Sequence, residues 1–121
     1  MKQLLSLSLL ALSLAGYSQS TAPKPITCKL TSPEMQQRKA TVIASLKKKI
    51  LVKKELPNGY AYQFPGTDAI VDELATFVKT ERLCCDFFDF KLSVKGDGSS
   101  AWLTITGPKG AKDFIKSELE L

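Results

Sequence analysis

The sequence contains no histidine among its 121 residues. Histidine is the commonest general base and the commonest metal ligand, so its absence excludes Ser-His and Cys-His catalytic pairs and the usual catalytic zinc sites. Cysteine is also scarce: there are three, and no two of them have the C-x-x-C spacing of a zinc ribbon or a thioredoxin motif. We therefore assign no residue a catalytic or cofactor-binding role.

Long apolar runs are absent too. The longest one follows Met1-Lys2 and falls short of the ~20 residues that a membrane-spanning helix needs. A short apolar run between a basic start and small residues is typical of a secretory signal. We predict a signal peptide over residues 1–18, cleaved after Ser18 or, as the rival site, after Ser20. Tyr17 stands where a lipoprotein carries its lipidated cysteine, so we expect no lipid anchor. The signal peptide predicts a periplasmic or secreted protein, with no transmembrane segment after signal removal.

The rest of the chain has the length of one domain. We predict that residues 19–25, rich in Ser, Thr and Pro, form a disordered lead and that residues 26–121 form a single domain. The formal net charge is +5, with lysine runs at 47–49 and 53–54. No aromatic or arginine-rich motif interleaves these lysines, so we interpret them as a solvated face and expect no nucleic-acid partner.

The spacing of apolar residues predicts eight elements in the order β-α-β-β-α-β-β-α. They are a strand over 26–30, a helix over about 33–47, a hairpin around Pro57-Asn58-Gly59, a helix capped by Thr67 or Asp68, a hairpin around Gly96-Asp97-Gly98, and a last helix with Ala111, Phe114, Ile115 and Leu119 on one face. This order predicts an α+β fold in which an antiparallel sheet carries helices on one face, either as a split βαβ (ferredoxin-like) arrangement or as a related two-layer sandwich. We expect Phe77, Phe88 and Phe90 between the helices and the sheet.

Two of the cysteines, Cys84 and Cys85, are adjacent at the predicted end of the second helix. Projected at 100° per residue, Cys85 lies at the centre of the buried stripe, Cys84 at its edge and Leu83 on the opposite side. Glu81 lies on the same stripe one turn earlier, where a carboxylate is costly unless a partner neutralises it. The candidate partners are Arg82, Lys29 and a bound cation.

Three hypotheses explain the cysteines. In the first, Cys28 of the first strand joins Cys84 and Cys85 in a three-cysteine cluster, with Glu81 and Arg82 beside the ligands. Such a cluster binds a soft metal or metalloid ion such as Cu(I), Zn(II), Hg(II) or As(III). The second hypothesis is a structural or interaction domain without chemistry, joined by a Cys28–Cys84 or Cys28–Cys85 disulfide, as an oxidising compartment allows. A thiol oxidoreductase ranks third, because the sequence has no resolving pair at C-x-x-C spacing.

The segments ERLCCDFFDF at 81–90 and LTITGPKGAKDF at 103–114 resemble a family of small bacterial proteins. The pattern of that family is E-R-x-C-C-P-F-x-x-F followed by L-x-L-x-G-P-x-G-x-K-x-F, and the resemblance extends over nearly all of the mature domain. Further matches are Cys28, residues 56–60 and Phe64. Members are often encoded near heavy-metal or metalloid resistance functions, which implies a thiol-based metal role and names no reaction. Two departures are Asp86, where the family has proline, and the signal peptide, which moves the cysteines out of the cytoplasm.

Overall fold

A computed structural model describes residues 25–26 and 32–121. Its elements are α1 (Pro33–Lys47), β1 (Val52–Leu56), β2 (Gly59–Pro65), α2 (Asp68–Cys84), β3 (Asp89–Val94), β4 (Ser100–Thr106) and α3 (Ala111–Phe114), which continues into a π-helical turn, Ile115–Leu119. The predicted α+β class is confirmed, and from α1 onward the elements follow the predicted order. The predicted signal peptide, nearly all of the lead, most of the first strand and Cys28 lie outside the described residues.

The four described strands form one antiparallel sheet in the order β1-β2-β4-β3. Two hairpins, β1-β2 and β3-β4, meet where β2 pairs with β4. In this register Tyr62 lies opposite Leu103, and Leu103 lies opposite Leu92, so one face of the sheet is apolar across several strands. The helices of the described residues pack on that face. The described part therefore has the two-layer sandwich form of the prediction, with every described strand pair antiparallel.

Both long helices begin where their sequences carry capping residues. The Ser32 side chain accepts a hydrogen bond from the Met35 N–H at 3.1 Å, and Pro33 occupies the first turn of α1. The Thr67 side chain does the same for the Ile70 N–H at 3.3 Å at the start of α2. These bonds satisfy backbone donors that have no partner inside a helix. The helix predicted over 33–47 is confirmed.

The first hairpin turns at Pro57-Asn58, and the next residue must be glycine. A Cβ at Gly59 would lie 1.8 Å from the carbonyl oxygen of Ile105 on β4. Backbone cannot yield by that amount, so only the absence of a side chain lets β2 and β4 pair this closely. Gly59 is thus required by the approach of two strands as well as by the turn.

The core lies between α2, the end of the chain and the covered face of the sheet. Its fully buried members include Leu46, Tyr62, Phe64, Leu74, Phe77, Leu103, Ile105, Ile115 and Leu119. Of the three predicted core aromatics, Phe77 and Phe88 are buried and Phe90 is half-buried because β3 is an edge strand. Phe77 contacts Phe90 edge to face, with ring centroids 6.2 Å apart. Aromatic pairs in this geometry stabilise a core beyond the area they bury.

The last predicted helix exists, with a change of winding. Ala111, Ile115 and Leu119 are buried as the spacing predicts, and Phe114 is half-buried. After Phe114 the chain widens into the π-helical turn, which ends at Glu120 in a left-handed conformation. Among the described residues, none of the helices combines the length and the apolarity that a membrane span requires.

Candidate metal centre

The candidate site lies at the C-terminal end of α2. Glu81, Cys84 and Cys85 are all buried, with exposed fractions of 1%, 1% and 0%. Leu83, which the projection puts on the opposite side, is 65% exposed. The helical projection therefore identified the inward side of α2 correctly, and Cys84 is buried more deeply than its edge position predicts.

The end of the helix brings the two sulfurs together. Cys84 is the last helical residue, and Cys85 leaves the helix with φ −121° and ψ 65° while its N–H still bonds the Glu81 carbonyl at 2.6 Å. As a result the Cys84 Sγ lies 3.6 Å from the Cys85 Sγ. Consecutive residues on an uninterrupted helix point about 100° apart, so the change of backbone conformation at Cys85 sets this short distance.

The Glu81 carboxylate completes the cluster. Its Oε2 lies 3.8 Å from the Cys84 Sγ, and one ligand atom from each of the three residues lies within 4.8 Å of the others. Within the part of the chain that the structure describes, this is the one group of three or more Cys, Asp or Glu residues arranged closely enough to hold a metal ion. The buried Glu-Cys-Cys group can therefore hold a metal ion.

A residue of α1 that the sequence did not identify faces this group. The Lys39 Nζ lies 3.4 Å from the Glu81 Oε2 and 3.9 Å from the Cys84 Sγ, and its side chain is 12% exposed. Of the expected partners of Glu81, Arg82 is exposed and Lys29 lies outside the described residues. In the described residues the carboxylate pairs with Lys39, and a pairing with Lys29 or a bound cation stays a prediction.

A signal for Lys39 exists in the sequence. Lys39 stands four residues after Met35 and three before Val42, so it falls on the apolar stripe of α1. A charged residue on such a stripe needs a partner, just as Glu81 does on α2. Two opposite charges on the inward sides of neighbouring helices are a pair that periodicity alone can suggest.

Burial controls the protonation of the group. It raises the pKa of Glu81, opposed by the positive charge of Lys39 and by hydrogen bonds from the Cys85 and Cys84 thiols. Burial also raises the pKa of the Cys85 thiol, and the neighbouring Glu81 charge raises it further. The Cys84 thiol donates toward the backbone oxygens of Thr80, at 3.7 Å, and Glu81, at 3.5 Å. Burial and the Glu81 charge thus both favour the protonated form of the Cys85 thiol.

The state of the cysteines bears on the disulfide alternatives. Cys85 is a free thiol, so the Cys28–Cys85 disulfide is not formed in the structure. The 3.6 Å between the Cys84 and Cys85 sulfurs is far longer than an S–S bond of ~2.05 Å, so these two are not bonded to each other. The predicted contribution of Cys28 to the cluster, and its pairing with Cys84, fall outside the described residues.

Part of the basic charge has structural partners. Lys49 forms an ion pair with Glu73 of α2 at 2.5 Å. The Nζ of Lys53 lies 4.5 Å from the ring centroid of Tyr60, where Lys112 and Lys116 also approach at 5.3 and 5.9 Å. The electrons of an aromatic ring attract an ammonium group that lies over its face. These lysines therefore contribute to the fold.

Searches of protein-family models, of curated proteins and of solved structures find no match to this chain.

Proposed function

We propose that this protein binds a soft metal or metalloid ion through thiolates of Cys84 and Cys85, with Cys28 as the third thiol of the cluster. The observation that carries the proposal is the pair of buried sulfurs 3.6 Å apart with a carboxylate beside them. A buried carboxylate is costly unless it is paired or coordinates a metal ion. Thiolate sulfur selects soft ions over Mg²⁺ and Ca²⁺, which prefer oxygen ligands.

The sulfur separation favours a bent arrangement of ligands. At the Zn–S distance of about 2.3 Å, two sulfurs 3.6 Å apart subtend an angle of about 103° at the ion. A linear two-coordinate ion would need them about 4.6 Å apart at the same bond length. The geometry therefore favours Zn(II) or a pyramidal ion such as As(III) over linear binding of Cu(I) or Hg(II).

The test is a calorimetric titration of the reduced protein with Zn(II), As(III) and Cu(I), with thiolate ligation followed by ultraviolet absorbance. We expect about one ion per chain and the release of protons, because thiols must deprotonate to bind. Cys28→Ser, Cys84→Ser and Cys85→Ser should each weaken binding sharply.

The matched control compares two carboxylates of the same helix. Glu81→Gln should weaken binding about tenfold, because it removes the negative charge that lies 3.8 Å from the Cys84 sulfur. Glu73→Gln changes the glutamate of α2 that pairs with Lys49, and it should leave the ion affinity unchanged. Absence of saturable binding to any of the three ions, together with one disulfide and one free thiol in the exported protein, would favour the structural domain instead.

We also propose that the protein is exported and then processed near Ser18. The apolar run before small residues supports this proposal. Intact-mass measurement of the exported form should give a new N-terminus between Gln19 and Pro23. Retention of Met1, or a lipid adduct, contradicts it. The resemblance to the motif family remains a proposal that agrees with a thiol-based metal role.

A further inference from the structure

We infer that Lys39 holds the place of the ion in the ion-free protein, and that binding exchanges its ammonium for the ion and releases the first half of α1. This inference rests on the proposed ion site. It adds two properties to that site: Lys39 competes with the ion for the same atoms, and ion binding loosens the first half of α1. Neither property follows from the thiols alone.

The geometry behind the exchange is that Lys39 contacts the atoms an ion would bind. Its Nζ approaches the Glu81 Oε2 at 3.4 Å and the Cys84 Sγ at 3.9 Å. An ion bound to the same oxygen and sulfur would lie about 2.0 to 2.3 Å from each. An ion takes up the lone pairs of the oxygen and the sulfur that the ammonium now contacts, so the two cations compete for the same donors. We therefore expect the ammonium to withdraw as the ion enters.

The consequence follows from how α1 is held. α1 lies wholly inside the described residues, and Leu46, near its end, is its one fully buried residue. Val42 and Ile43 pack partly against the core, and beyond the end of the helix Lys49 pairs with Glu73. The first two turns, 33–40, have no fully buried residue, and the Lys39–Glu81 ion pair is one of their contacts with α2. We expect loss of this ion pair to loosen the first half of α1 more than the second, which ends at the buried Leu46.

Lys39 has an alternative role with the opposite outcome. As a permanent counter-charge it would stay beside the loaded site, stabilise the bound thiolates and tighten α1 against α2. Removal of the lysine then weakens ion binding. Under the exchange that we infer, removal of the lysine eliminates a competitor and strengthens binding.

The experiment titrates the reduced full-length protein with Cd(II), a thiolate-binding probe, and follows amide hydrogen exchange in α1. Lys39→Met should bind Cd(II) about tenfold more tightly than the parent, and the matched control Lys49→Met should bind as the parent does. In the parent, Cd(II) should speed exchange of the amides in 33–40 about tenfold and leave those near Leu46 unchanged.

Each outcome separates the inference from the function on which it rests. If the parent shows no saturable Cd(II) binding, the proposed site fails. If Cd(II) binds but exchange in 33–40 slows or stays constant, the displacement of Lys39 is wrong while the ion site stands. Equal or weaker binding by Lys39→Met leads to the same conclusion. The exchange measurement uses the parent protein, so it decides the matter even if the variant does not fold.

Discussion

Two lysine–glutamate pairs join α1 and the residues after it to α2, and they differ in how deeply the glutamate is buried. Lys49 pairs with Glu73 at 2.5 Å near the start of α2, where the glutamate side chain is 23% exposed. Lys39 pairs with Glu81 at 3.4 Å near the end of α2, where the glutamate side chain is 1% exposed. The two glutamates lie eight residues apart on one helix, so their surroundings account for the difference.

The pKa values of the two glutamates shift in opposite directions. At Glu73 partial burial raises the pKa, but hydrogen bonds from Lys49 and Ser45 outweigh it and the net pKa is lowered. At Glu81 burial dominates over Lys39, and the net pKa is raised. A lysine–glutamate pair is thus a partly exposed contact near the start of α2 and a buried contact near its end. A cation bound beside Glu81 would offset the cost of burying its charge, and it would leave Glu73 unaffected.

The largest loss of stability is expected from a change in the middle of α2, between the two glutamates. Phe77 lies one turn from each glutamate, is 1% exposed and packs against Phe90. Phe77→Ala should lower the free energy of unfolding by about 4 kcal/mol through lost burial and a new cavity. Urea denaturation measures this change. An unchanged midpoint would mean that α2 does not rest on the sheet through this side.

The comparison becomes sharper when each lysine is removed in turn. Lys39→Met leaves Glu81 buried without its ion pair and should cost about 2 to 3 kcal/mol, limited because the carboxyl can take up a proton. Lys49→Met removes a partly exposed pair and should cost less than about 1 kcal/mol. Both values come from urea denaturation at neutral pH. Equal losses would show that burial does not distinguish the two pairs.

The pH dependence should have opposite signs for the two glutamates. The raised pKa of Glu81 gives stability that is complete below about pH 4.5 and is lost as the pH rises through the folded-state pKa. The lowered pKa of Glu73 gives stability that is present above about pH 4.5 and is lost as the pH falls through the folded-state pKa. Each slope is limited to ~1.4 kcal/mol per pH unit for one proton.

Thermal unfolding of the parent, Glu81→Gln and Glu73→Gln across this pH range measures the two slopes. Glu81→Gln should remove a decline in stability above pH 4.5, and Glu73→Gln should remove a decline below it. Slopes of the same sign for both residues would contradict the assignment of burial as the controlling factor.

The smallest effect is expected on the outer side of the candidate site. Leu83 stands between Glu81 and Cys84 in sequence but is 65% exposed. Leu83→Ala should change the free energy of unfolding by less than about 0.5 kcal/mol and leave ion affinity unchanged. Calorimetry and urea denaturation check both. A large loss of either would mean that Leu83 meets a partner on this surface.

Much of the fold could be predicted because its signals are local. Ser32 and Thr67 begin helices through bonds to residues three positions later, and the Pro57-Asn58-Gly59 turn joins neighbouring strands. The strand order could not be read this way. The pairing of β2 with β4 depends on contacts across the sheet, and the π-helical turn after Phe114 depends on how the end of the chain packs.

The sequence by itself determined which side of α2 faces inward, and therefore that Glu81 and Cys85 share a buried environment with Cys84 at its edge. Helical periodicity depends only on residues within a few turns, so one helix suffices for that inference. Only the tertiary structure decided that Lys39, 45 residues before Cys84, meets these groups, because the packing of α1 against α2 fixes that contact. The 3.6 Å between the sulfurs likewise depends on the backbone at Cys85, where the helix ends.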